Sequence, residues 1–132
     1  MFMAFVLLLT LAADPAVTII ASGPASGVGE ARQVTARTDS EWAALWTSHA
    51  GESSRPAVDF STGMVAAVFL GTRPTSGFAV EVLGAHTEDG TLVIEYVERR
   101  PGRGGLVGQV LTSPFQIVRL PRHEGEVRFQ KQ

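Results

Sequence analysis

The chain has 132 residues, 45% of them hydrophobic and 18% charged, with a formal net charge of −2. That size and balance describe one globular domain with its own core and exclude a disordered chain. No run of Lys or Arg offers a footprint for a phosphate backbone, so nucleic acid is not an expected partner, and the absence of cysteine excludes a disulfide framework, a thiolate zinc site and a cysteine nucleophile.

Residues 1–13 read MFMAFVLLLTLAA, apolar apart from Thr10 and followed by Asp14 and Pro15. The length suits the apolar part of a signal peptide and is too short for a bilayer-spanning helix. The expectation is export to the periplasm, the cell envelope or the medium, with no stable membrane span once this segment is removed. Positive residues do not precede it, which departs from the usual leader. Residues 14–29 hold a short strand at Val17–Ala21 and then a Gly/Ser/Pro linker. The folded domain is expected over 30–132.

Within it, Glu30–Arg37 can form a strand anchored by Val34. The spacing predicts a helix over Asp39–His49. Thr38 and Glu41 fit a capping box, and Trp42, Leu45, Trp46 and His49 fall at i, i+3, i+4 and i+7 before the stop at Gly51. Met64–Leu70 (MVAAVFL) is apolar on both parities, as a strand covered on both faces must be. Residues 78–87 and 91–100 alternate about Asp89-Gly90, a two-residue hairpin turn, and are expected to pair antiparallel. Further strands are expected at Val107–Leu111, Phe115–Leu120 and Val127–Phe129. The predicted fold is α+β and β-rich: one amphipathic helix on an antiparallel sheet or small barrel of six to eight strands. Its expected core is Trp42, Leu45, Trp46, Val65, Val68, Phe69, Val80, Val82, Ile94, Tyr96 and Phe115.

Catalytic chemistry finds little footing. His49, His86 and His123 share no metal-ligand spacing, and His49 reads as a cation favoured at a helix C-terminus. Ser26 lies in GPASG, which is not a nucleophile elbow. Glu81, Glu95 and Glu98 read as solvent-facing residues of half-buried strands rather than a glycosidase pair. The GRGG run lacks the Lys-Ser/Thr of a phosphate loop. No cofactor, metal or catalytic residue is expected. A binding site is expected on two loops, at Arg73, Pro74, Thr75, Gly77 and Phe78, and at Arg103, Gly104 and Gly105, because shaped loops bearing Arg and aromatic groups are where binding concentrates.

The order of features is itself informative. EWAALWTSH precedes VDFSTGMVAAVFLG, then RPTSGFAVEV, LVIEYVERRPGRGG and QVLTSPFQIVRLPR. This resembles the C-terminal domain of the PrcB family, from about Glu30 to the end. The resemblance implies a non-catalytic exported accessory to a protease complex, with a secreted protease as protein partner. Lipid-anchored members would carry an N-terminal cysteine, which this chain lacks. RPTSGF and GRGG are also similar to two loops of chagasin-type cysteine-protease inhibitors, while Ser113-Pro114-Phe115 is a poor third. The alternatives are therefore a protease inhibitor, which requires those two loops to lie side by side, and an envelope protein of structural role.

Overall fold

A computed structural model describes residues 13–104 and 107–132. The signal-like segment up to residue 12 and the candidate residue Gly105 lie outside the described residues. Seven strands and one helix follow in the order β1 (Thr18–Gly23), β2 (Ala31–Ala36), α1 (Asp39–Ala50), β3 (Gly63–Leu70), β4 (Ala79–Glu88), β5 (Thr91–Arg99), β6 (Phe115–Pro121) and β7 (Val127–Lys131). They form a four-stranded sheet ordered β1-β6-β3-β2 and a three-stranded sheet ordered β4-β5-β7. The domain is α+β and β-rich as expected, with two packed sheets and no closed barrel.

The helix forms where its signals place it. Thr38 is extended, its hydroxyl accepts from the Glu41 amide at 3.1 Å, and Gly51 closes the other end at φ 61°. Trp42, Leu45, Trp46 and His49 are all buried. They pack with Val65, Ala67, Phe69, Phe115 and Ile117, the odd-numbered face of β3 and β6. The even-numbered face, with Met64, Ala66, Val118 and Leu120, packs on Leu92, Ile94 and Ala85 of the second sheet. β3 is thus the middle of a helix–sheet–sheet stack, which explains a strand apolar on both parities whose eight residues are all buried.

The hairpin turns at Asp89 (φ 49°) and Gly90 (φ 83°), both left-handed as a type I′ turn requires. A bulge between Val82 and Gly84 shifts β4 by one residue. Val80 points inward before it and Ala85 after it, while Leu83 is left 47% exposed. Val82 sits at that shift and is only half-buried, the one expected core residue that is not buried.

Three expectations are corrected. Val107–Leu111 forms no strand; Gly108 and the exposed Gln109, Val110 and Leu111 leave it a loop. β7 does not extend an antiparallel sheet but pairs parallel with β5, Leu92 opposite Val127. It can do so because the chain crosses to the first sheet through β6 between them. Glu98 is not solvent-facing: its side chain is 4% exposed. The strand expected near 17–21 forms as β1 and joins β6, which completes the first sheet. Among the described residues no helix is long and apolar enough to cross a membrane.

Candidate functional site

Strand direction gathers three connections and the helix C-terminus at one end of the domain. β1 ends there and β2 begins there, so residues 24–30 lie at that end. The same holds for 71–78 between β3 and β4 and for the described residues of 100–114 between β5 and β6.

Backbone bonds lace these loops together. The Ser26 amide donates to Ser113 O at 3.0 Å, and the Ser113 amide donates to Pro24 O at 2.7 Å. Arg73 and Thr112 exchange both amide–carbonyl bonds, at 2.7 and 2.9 Å. The Thr72 amide donates to Gly29 O, the Ser76 amide to Gly108 O, and the Gly108 amide returns to Ser76 Oγ. The Thr112 hydroxyl donates to Thr75 O. With so many peptide groups satisfied within the loops, the end is a shaped surface rather than loose chain.

Arg73 organises it from below. Its Nε and Nη2 donate to the two oxygens of Glu98, both at 3.0 Å, and Nη1 donates to Leu70 O at 3.0 Å. Its guanidinium carbon also stands 5.9 Å from the centre of the Phe78 ring. Lys131 Nζ donates to Glu98 Oε1 at 3.1 Å, so the 73–78 loop, β5 and the end of β7 share one carboxylate. The Arg73 fork holds the Glu98 pKa down to about 2, against the desolvation that opposes it, and Lys131 adds to the effect. Arg73 therefore faces inward as a structural anchor, whereas the sequence reading expected it to offer its charge outward.

The other candidates divide. Pro74 and Gly77 are exposed, and Thr75 and Phe78 are half-buried. Gly77 sits at φ 94°, where a Cβ would meet Pro101 at 2.9 Å and Val107 at 3.2 Å, so the two candidate loops touch at this residue. Arg103 and Gly104 are exposed beside that contact, Gly104 at φ 77° with open space around it. The sequence reading did not single out Val110 and Leu111, which are 55% and 72% exposed in the same loop. The available signal was their place in the glycine-rich run GLVGQVL, which the alternation rule read as a strand.

His49 differs from its expectation too. It is buried, with its ring centre 4.1 Å from Phe115 and 5.1 Å from Trp46, and burial lowers its pKa. The Nδ1 atom lies 2.8 Å from Ser26 Oγ, which also accepts from the Val28 amide, while the Gly27 amide donates to His49 O. Sequence distance hid this pair. No carboxylate reaches His49 among the described residues, and the arrangement clips the 24–28 loop to the end of the helix. Among the described residues no three His, Asp or Glu side chains gather as metal ligands.

Residues 64–121 match the family model described as PrcB C-terminal. The span runs from β3 into β6, includes both candidate loops and ends before β7. The resemblance read from the sequence is borne out there, over a little under half of the chain. The tryptophan helix lies outside the match. No curated protein and no solved structure matches the chain.

Proposed function

We propose that this chain is a non-catalytic exported binding module, an accessory or stabilising subunit of a secreted protease complex, and that it docks through its loop end. The match to a family named for a protease-complex subunit supports the class of partner. The observation that carries the docking surface is the laced loop end itself. Its shape is held by internal hydrogen bonds, while Val110, Leu111, Pro74 and Arg103 stay exposed on it. Exposed aliphatic groups on a preorganised surface lose little entropy on binding and gain apolar burial.

A second reading, protease inhibition, is favoured by one specific contact. The 73–78 and 101–108 loops adjoin at Gly77 and Pro101, as a two-loop wedge requires. One experiment separates the two. Tagged full-length protein is incubated with culture fluid and envelope extract of the producing cells, and bound proteins are identified. A co-purified protease that keeps its activity supports the accessory role, and one that loses activity supports inhibition. The Leu111→Asp variant should melt like the parent and recover at least ~10-fold less partner, since a charge replaces an apolar contact. Recovery of no protease, or equal recovery by the variant, would overturn the proposal.

A further inference from the structure

Along the flank of the first sheet, a groove of about 230 Å³ runs between α1 and β2, lined by Arg32, Val34, Glu41, Ala44, Leu45 and Ser48. β2 is an edge of its sheet. The orientation of its free hydrogen-bonding groups follows from the ladder. The Leu70 amide donates to Pro114 O on the β6 side, so alternate β3 residues Leu70, Val68 and Ala66 address β6. Val65, Ala67 and Phe69 then address β2, where they stand opposite Ala36, Val34 and Arg32. Ala31, Gln33 and Thr35 are left with their N–H and C=O groups turned outward, a row ready to pair with another strand.

The charges of the groove are arranged antisymmetrically. α1 runs back along β2, so Arg32 and Ser48 share one end of the groove and Thr35 and Glu41 the other. Arg32 is exposed and joins no ion pair among the described residues. Glu41 uses Oε1 for the helix cap, which leaves Oε2 open. An antiparallel strand entering the groove with the same sequence brings its own Arg32 toward Glu41 and its Glu41 toward Arg32. Small groups on the outer helix face, Ala44 and Ser48, permit the approach.

From this geometry we infer that the α1/β2 edge is a self-association surface, where a second copy of this chain pairs its β2 antiparallel across a two-fold axis. The four-stranded sheet continues as eight strands, both helices lie on the same face, and two Arg32–Glu41 pairs close the ends. Such a contact is isologous, each patch meeting its own copy. One short strand and one helix face make a small interface, so a dissociation constant on the order of 1–100 μM is expected.

The test is sedimentation velocity on the full chain across that range, with charge swaps. Arg32→Glu and Glu41→Arg each place like charges across the axis and should weaken the dimer at least ~10-fold. Mixed in equal amounts, they form a heterodimer with both pairs restored, which should recover the parent affinity. Gln33→Pro, on an edge strand with its N–H outward, keeps the fold and loses the dimer. Glu41 also belongs to the helix cap, so circular dichroism checks each fold. Should Glu41→Arg unfold, Arg32→Glu and Gln33→Pro decide alone. A monomer throughout, variants that dimerise like the parent, or folded single variants whose mixture does not recover affinity would each overturn the inference.

Discussion

The carboxylate of Glu98 is shared by Arg73 and Lys131, and its removal has a calculable effect. Glu98→Gln keeps the side-chain volume but takes the charge from beneath Arg73, whose side chain is 25% exposed and already committed to Leu70 O. In the folded protein the Glu98 pKa lies at about 2, against 4.5 ordinarily. A lowering of that size corresponds to at most ~3–4 kcal/mol of stability at neutral pH. Arg73 and Lys131 are partly solvated, which reduces the expected loss to about 1.5–2.5 kcal/mol. Because the folded pKa is depressed, the contribution is complete above 4.5 and disappears as pH falls from there through about 2. Urea unfolding of parent and variant at pH 7, 4 and 2 should therefore give a gap that is largest at pH 7 and closes at pH 2. A gap under ~0.5 kcal/mol at pH 7, or one that does not narrow in acid, would refute the view that Glu98 anchors the loop end.

Two further outcomes follow from the core. Trp42 is fully buried, donates from Nε1 to Pro56 O at 2.9 Å and meets the Trp46 ring edge-on at 5.5 Å. Trp42→Ala should cost about 3–5 kcal/mol and lower the melting temperature by roughly 10–15 °C, measured by calorimetry. His49 has a pKa lowered by burial, so its neutral form supports the fold above 6.5 and that support declines as pH drops below it. His86, raised by its hydrogen bond to Glu88, works in the opposite sense, its support fading as pH rises past its folded pKa. In His49→Ala, melting temperatures measured down from pH 7 should fall less steeply than in the parent.

Local sequence determined the elements wherever one short-range rule acted alone. A hydroxyl, a carboxylate and a 3.6-residue apolar stripe specify α1, and Asp89-Gly90 specifies the hairpin. The double-faced run 64–70 announces a strand covered on both sides. Motif order also made the family resemblance legible. The candidate site was legible as an address, since Arg73–Phe78 and the 101–104 segment do meet at one end, but not as chemistry. Whether Arg73 points outward or grips Glu98 depends on a carboxylate 25 residues away, and Ser26 reaches His49 across 23 residues. The β4 bulge, the parallel docking of β7 and the exposure of Val110 and Leu111 likewise belong to tertiary structure. Each depends on which surfaces meet after the chain crosses between sheets, and local periodicity carries no information about a partner brought in by a long loop.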